Sequence, residues 1–224
     1  MTDQLLLGQT LRFSRDPFSG DPEAAAHISA RGGVLVRDGR IAAVGEADDL
    51  RRDNPTATVT DHGDHLITAG FVDGHMHYPQ TAMIASWGKR LIDWLNTYTF
   101  PEEMKFANRA YADEIAGRTL DLALANGTTT LTSFCTIHPG SVDAYFEAAN
   151  ARGMAVVGGK TCMDRNAPDG LRDTAKNGTR KESLKEMVAV AYGSTVEVRT
   201  RLRGLSIGRS DLARAIDVHD ADEL

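Results

Sequence analysis

Cysteine is scarce in this sequence, and long apolar runs are absent. The two cysteines, Cys135 and Cys162, form no CxxC pair, which argues against a disulfide framework or a cysteine-based zinc site. No apolar run approaches the ~18 residues of a membrane span. The opening "MTDQLLLGQT" lacks the basic start of a signal peptide. We therefore expect a cytoplasmic protein with no membrane partner.

Clustered positive charge is also missing. The net charge is −6, and acidic and basic residues are mixed along most of the chain. A nucleic-acid-binding protein should instead show a basic patch, so we expect no nucleic-acid partner. Hydrophobic residues make up 42% of the 224 residues, enough to bury a core. The composition favours a soluble protein that acts on small molecules.

Residues 1–65 have the pattern of a small β module. Residues 31–45, "RGGVLVRDGRIAAVG", predict a hairpin, because Asp38-Gly39 tolerates the positive φ of a tight turn. Strand-like residues also occur at 5–13 and 56–60. We expect an N-terminal, β-sandwich-like module.

The pattern then changes to alternating strands and helices, which predicts βα units around a parallel sheet. The predicted strands are residues 65–73, 128–135 and 154–159. A helix is expected over 102–126, with apolar Ile115, Leu120, Leu122 and Leu124. A second helix begins with Ser141 as its cap and ends at Gly153, and a third is expected over 182–192. A further strand within 194–206 is placed only loosely.

A histidine pair, His75 and His77, ends the apolar run of the first strand predicted for the parallel sheet. Residues i and i+2 of a strand project to the same face, so both imidazoles should lie at the carboxyl end of a strand that starts near Leu66. Such a pair can hold Zn²⁺ or Fe²⁺, with Asp73 as a partner that fixes a ring tautomer. The alternative is two loop histidines that only make hydrogen bonds.

The same segment resembles a known family. "ITAGFVDGHMH" looks like the first barrel strand of the amidohydrolase superfamily, and "GGVLVRDGRIAAVG" resembles the β module that precedes that barrel. Residues 75–103, 126–154 and 159–168 are similar to the guanine deaminase family, with "WLNTYTFPEE" the most specific block. The resemblance covers about residues 1–190. It implies an α/β fold, a partial TIM-type (β/α) barrel whose first units occupy 66–192.

This resemblance implies a chemistry, the hydrolysis of guanine to xanthine and ammonia by metal-activated water. His75 and His77 match the family's first two metal ligands, with Zn²⁺ or Fe²⁺ as the cofactor. His77 and Gln80 match purine-contacting positions, and an amide suits that role because it both donates and accepts. Trp94 either stacks on the purine or is an ordinary core aromatic.

Other polar residues receive structural interpretations. Asp164 and Arg165 are expected to pair with each other in a loop. His138, in "TIHPG", is expected to be a hydrogen-bonding loop residue and not a third ligand. Cys135 and Cys162 should be small core or near-core residues. The unrelated zinc deaminases need His-x-Glu and Pro-Cys-x-x-Cys, and neither pattern occurs.

The resemblance stops near residue 190. The family's remaining ligands, its proton-handling glutamate and a Pro-Arg-Phe motif find no match, and His219 fits no ligand pattern. Residues 193–224 are therefore expected to be an atypical tail, from truncation or a shifted reading frame, and no catalytic proton carrier is assigned. We expect weak activity or none. The alternatives are a non-catalytic fragment that pairs with another chain, and an amidohydrolase for another ring amine or halide; a homo-oligomer is left open.

Overall fold

The structure, a computed structural model, describes residues 3–88, 90–161, 163 and 167–172, and the backbone of 189–191. These residues form two compact units, divided between Ala69 and Gly70. Each unit has its own four-stranded sheet. None of the helices in the described ranges is long and apolar enough to cross a membrane.

The elements of the first unit are β1 (Gln4–Phe13), α1 (Pro22–Ala25), β2 (Ala26–Arg37), β3 (Arg40–Glu46), α2 (Ala47–Asp53) and β4 (Thr58–Thr68). Its sheet has the strand order β3-β2-β1-β4. Strand β1 pairs antiparallel with β2 and parallel with β4, and β2 pairs antiparallel with β3. A small core of Leu5, Leu7, Leu35, Ala47 and Leu50 is buried here.

The predicted hairpin is confirmed as the β2–β3 connection. Asp38 and Gly39 both have positive φ, 51° and 74°. Two successive residues with positive φ are what a type I′ turn requires, and this turn matches the right-handed twist of the strands. The Asp-Gly pair therefore sets the register in which Arg37 lies opposite Arg40.

Strand β4 is longer than expected and takes residues that we had placed in the barrel. Its parallel pairing with β1 continues to Thr68, with Ile67 opposite Thr10. The strand that carries the histidine pair therefore starts at Phe71 and not near Leu66. The later start has a tertiary cause: within the apolar run 66–72, the first residues pair in one sheet and the last residues pair in the other. The domain boundaries at residues 65 and 192 stay a prediction.

The second unit has three parallel strands in sequential order, β5 (Phe71–His77), β6 (Thr128–Phe134) and β7 (Ala155–Gly159). Helices follow each of the first two strands. They are α3 (Leu91–Trp94), α4 (Phe100–Met104), α5 (Arg109–Ala125) and α6 (Pro139–Arg152), with 3₁₀ turns at Tyr78–Met83 and Lys105–Ala107 and a π-helical turn at Leu95–Thr99. Consecutive βα units of this kind confirm the predicted α/β class and partial barrel.

The core of this unit lies between the sheet and the helices α5 and α6. Its largest fully buried side chains are Tyr78, Phe106, Leu120, Leu131 and Tyr145. Cys135 belongs to the same cluster, and burial raises the pKa of its thiol to about 12. Its interpretation as a core residue is therefore confirmed.

The helix predicted over 102–126 is two helices. Asn108 leaves the helical region, and its side chain accepts a hydrogen bond from the Ala110 N–H at 3.0 Å, so α5 starts anew there. Ile115 and Leu120 are buried as expected. Leu122 and Leu124 are 49% and 39% exposed, because the buried face of α5 turns away from them.

Ser141 does not cap α6 as predicted. The helix starts two residues earlier at Pro139, after His138, and Pro is favoured at the first helical position. The Ser141 hydroxyl accepts a bond from the Thr136 N–H at 3.0 Å instead. Gly153 ends the helix with a φ of 65°, as predicted.

The helix predicted over 182–192 is wrong at Ala189–Ala191, which form strand β8. These residues pair antiparallel with Val156–Gly158 of β7, so tertiary pairing overrides their helix propensity. Several predicted features lie outside the described residues: Cys162, Asp164, Arg165, His219, the strand within 194–206 and the tail 193–224.

Candidate active site

The carboxyl end of β5 brings His75 and His77 together. Their ring centroids are 5.5 Å apart and the rings meet edge to face, at 77°. The strand is irregular just before this point. Asp73 lies opposite Leu131 and Met76 opposite Ser133, so β5 carries one extra residue. The histidine pair therefore lies next to a β-bulge, a feature that redirects side chains near active sites. The regular alternation of side chains along a strand does not account for the positions of the two rings.

His77 lies on the partly buried side of the pair, whereas His75 is exposed. The Phe134 ring covers His77, with centroids 4.9 Å apart. Partial burial lowers the pKa of His77, and the neighbouring His75 lowers it further. Both effects favour the neutral imidazole, which is the form that binds a metal ion.

Asp73 does not take the role that the sequence predicted for it. Its carboxylate accepts a hydrogen bond from the backbone N–H of His75 at 3.0 Å. This contact stabilises the bulge and fixes no ring tautomer. The contact joins residues two apart in the strand, which is a common local bond for an aspartate side chain.

The two imidazoles supply part of a metal site. Their proximity and the lowered pKa of His77 fit two of the nitrogen ligands that Zn²⁺ or Fe²⁺ takes. Within the described ranges, no group of three or more His, Cys, Asp or Glu side chains could hold a metal ion. His138 lies in the loop before α6, where its backbone carbonyl accepts bonds from Ser141, in line with the loop role expected of it.

A cavity of about 320 Å³ adjoins the histidine pair. It brings together three of the residues singled out in the sequence, His77, Gln80 and Trp94, while His75 is not part of its lining. Apolar side chains make up most of the remaining wall, and the lining is completed by Met76, Thr81, Met83, Ile84, Ala85 and Ser86. An apolar pocket with a few polar groups is the usual form of a small-molecule site.

The Gln80 side chain has a specific partner. Its amide nitrogen donates to the Glu103 carboxylate at 3.1 Å. Glu103 lies on α4 and is only 5% exposed. Burial raises the pKa of Glu103, and the bond from Gln80 offsets part of that rise. The sequence does not mark Glu103 as a site residue, apart from its place in "WLNTYTFPEE".

Trp94 is half-buried at the end of α3 and lines the cavity. Its indole N–H donates to the Ser86 carbonyl at 3.1 Å. The polar edge of the ring is therefore satisfied within the protein, so what the indole offers a ligand is apolar surface. Its place in the lining is compatible with stacking on a planar ring.

Tyr78, directly after His77, anchors the end of β5 in the core. Its backbone N–H donates to the Ser133 hydroxyl at 2.8 Å, and its own hydroxyl donates to the Ser141 carbonyl at 2.6 Å. The ring is fully buried and stacks on Tyr145 with centroids 5.0 Å apart. The neighbouring histidine is thereby held on a rigid support, which a binding site requires.

Comparison with known proteins identifies the family. A family model described as "Amidohydrolase family" matches residues 66–204, more than half of the chain. The chain belongs to the amidohydrolase family. A second model, an imidazolonepropionase-like composite domain of bacteria, matches residues 32–57 within the first unit.

Among its relatives, this amidohydrolase is similar to guanine deaminases. It is 44% identical to the Escherichia coli (strain K12) guanine deaminase over 145 residues, which are 64% of this chain and 33% of the relative. It is 38% identical to a probable guanine deaminase of Deinococcus radiodurans over 146 residues, 65% of this chain and 30% of the relative. The chain thus spans about a third of the length of the curated relatives it matches.

Solved structures give the same picture for this amidohydrolase. The E. coli guanine deaminase has a TM-score of 0.73 at 38% identity, over 81% of this chain and 41% of that one. The Bradyrhizobium japonicum enzyme has a TM-score of 0.74 at 33% identity, over 94% and 42%. A C. acetobutylicum guanine deaminase with guanine bound in its active site has a TM-score of 0.67 at 29% identity, over 92% and 44%.

Proposed function

We propose that this chain carries the first part of a guanine deaminase active site, for the hydrolysis of guanine to xanthine and ammonia. The observation that supports this most strongly is the cavity shared by His77, Gln80 and Trp94 next to His75. Similarity to several guanine deaminases supports the choice of guanine over another ring amine.

In this proposal, His75 and His77 would hold a zinc or iron ion. Bound there, the ion would acidify water to a nucleophile near neutral pH. His77 also lines the cavity, so an ion held there would lie close to a purine bound in the cavity. Burial and the neighbouring His75 lower the pKa of His77, which favours the neutral ring that a metal ion requires.

The other two residues hold the purine. Gln80 contacts the polar edge of the ring system through its amide, whose nitrogen is partly occupied by Glu103. Trp94 provides an apolar wall and excludes water from one side of the cavity. Positioning of this kind accounts for much of the rate in reactions between a bound water and a bound substrate.

Guanine binding tests the proposal directly. Equilibrium dialysis of the 224-residue chain with radiolabelled guanine should detect binding to the zinc-loaded protein. Gln80→Ala should weaken that binding about tenfold or more, as expected for loss of a buried hydrogen bond to a ligand. Gln4→Ala, an exposed glutamine on β1, serves as the matched control and should bind like the parent.

An assay of ammonia release from guanine complements the binding measurement. Because the described residues include no third metal ligand, we expect little turnover by this chain alone. Failure to bind guanine at all would contradict the proposal. Robust, chelator-sensitive turnover would leave the function in place but show that the missing ligands come from elsewhere, such as a partner chain.

The remaining expectations accompany this proposal. We propose a cytoplasmic protein, which suits the reduced, buried thiol of Cys135. Residues 1–65 as a β module, 66–192 as the first barrel units and 193–224 as a distinct tail are proposed as the domain division. Association into a homo-oligomer is a further expectation, to be tested by light scattering.

A further inference from the structure

Glu103 is a buried carboxylate with an unusual place in the fold. It lies in the helix α4, yet it is only 5% exposed and its contact is with Gln80, 23 residues earlier in the chain. Burying a carboxylate is costly unless it receives hydrogen bonds. The Gln80 amide at 3.1 Å provides one, so the two side chains form a polar pair beside the cavity.

The chemistry of this pair fixes the orientation of the Gln80 amide. The amide nitrogen faces Glu103, to which it donates at 3.1 Å, and a carboxylate oxygen accepts such a bond. The amide oxygen then points away from Glu103. Because Gln80 lines the cavity, this oxygen is an acceptor that a bound ligand can meet.

We propose that Glu103 is a positioning residue that holds the Gln80 amide with its oxygen available to the ligand, so that the cavity selects heterocycles offering an N–H donor. This rests on the proposed function. A purine with N–H donors, such as guanine, can donate to the Gln80 oxygen. A ring with an unprotonated nitrogen at the same place would instead turn its own lone pair towards the lone pairs of that oxygen, which is unfavourable. Glu103 itself touches no ligand and acts through Gln80.

A neighbouring residue gives the matched control. Glu102 lies on the same helix and is 7% exposed. It accepts bonds from the Tyr111 hydroxyl and, at 2.6 Å, from the Lys105 ammonium group. It does not line the cavity. Glu102→Gln therefore removes a buried charge from α4 without touching Gln80, whereas Glu103→Gln removes the charge that orients it.

The size of the effect follows from the two amide orientations. Suppose that the Glu103 carboxylate favours the amide orientation with the oxygen towards the cavity about tenfold. Removing that carboxylate then lowers the selectivity of the cavity for donor over acceptor ligands by about tenfold. Guanine itself should bind only about twofold more weakly, since a free amide presents its oxygen half of the time. Unsubstituted purine, which has an acceptor in place of the N1–H and lacks the amino group, should bind about fivefold more tightly.

The experiment combines two readouts on the full chain. Equilibrium dialysis gives the ratio of the purine and guanine dissociation constants, and ¹⁵N NMR follows the Gln80 side-chain amide, assigned with Gln80→Ala. In Glu103→Gln, the ratio should fall about tenfold and the hydrogen-bonded amide proton of Gln80 should shift. In Glu102→Gln, both should match the parent. The double variant Gln80→Glu with Glu103→Gln keeps an acceptor towards the cavity and should restore the guanine preference.

Several outcomes would overturn the inference. These are an unchanged Gln80 amide signal in Glu103→Gln, an equal loss of selectivity in Glu102→Gln, or a folded double variant that fails to prefer guanine. If Glu103→Gln does not fold, the guanine preference of the double variant decides whether the inference holds. If the chain binds no guanine, the proposed function fails, and the Gln80 amide signal alone then decides whether Glu103 orients it.

Discussion

The tyrosine hydroxyl that anchors the end of β5 can be removed without changing the packing around it. Tyr78→Phe deletes only the group that donates to the Ser141 carbonyl at 2.6 Å. Tyr145→Phe is a close control, because Tyr145 is also fully buried and stacks on Tyr78. Its hydroxyl, however, donates to the Leu131 carbonyl at 3.3 Å, beyond the usual length of an O–H···O bond.

The difference in length sets the expected difference in stability. Losing a short, buried hydrogen bond should reduce the free energy of unfolding by about 1–2 kcal/mol. For a protein of this size, that corresponds to a fall in the melting temperature of about 2–8 °C. Tyr145→Phe should cost less than about 1 kcal/mol, since a long hydroxyl contact contributes little.

Urea unfolding followed by circular dichroism measures both losses, and NMR reports whether His77 moves. Burial raises the pKa of both hydroxyls well above the ordinary value, so neither ionises in the working pH range. We expect the His77 ring signals to shift in Tyr78→Phe and to stay in place in Tyr145→Phe. Equal or reversed stability losses would refute the reasoning from hydrogen-bond length.

Three further predictions concern other contacts. Arg152 forms a two-point ion pair with Asp121 that joins α6 to α5. Arg152→Ala removes this pair, so the melting temperature should fall slightly, by less than in Tyr78→Phe. The gap in melting temperature between Arg152→Ala and the parent should shrink with added salt. Burial raises the pKa of Glu103, so its charge opposes folding at any pH above that pKa. Relative to the parent, Glu103→Gln should therefore be most stable near neutral pH and should lose this advantage as the pH falls below 4.5, the ordinary pKa of a glutamate. Urea unfolding near neutral pH and below pH 4.5 would measure the difference. Gln80→Ala should retain the metal content of the parent in atomic absorption analysis, since Gln80 is assigned to the ligand and not to the metal; loss of the metal would refute its assignment.

Local sequence signals predicted the parts of the fold that depend on short-range physics. The Asp38-Gly39 turn and the stop at Gly153 need only the φ preferences of those residues. The order of the three parallel strands followed from the alternation of apolar runs and helices. These features would appear in any tertiary setting that buried the same faces.

The features that escaped prediction depend on partners distant in sequence. Strand β4 extends to Thr68 because β1 pairs with it, and the bulge before His75 exists only in the register against β6. The contact between Gln80 and Glu103 crosses 23 residues and requires α4 to bring a carboxylate to the cavity. Sequence similarity indicated the importance of "WLNTYTFPEE" but gave no physical reason for it.

Zinc titration followed by NMR of the histidine rings tests most directly whether the pair binds a cation. With His75 and His77 assigned from single alanine variants, we predict that both rings shift on adding zinc and saturate at one common concentration. Each alanine variant should abolish the response of the remaining ring. Rings that ignore zinc, or that respond at clearly different concentrations, would contradict a shared metal site and the deaminase function built on it.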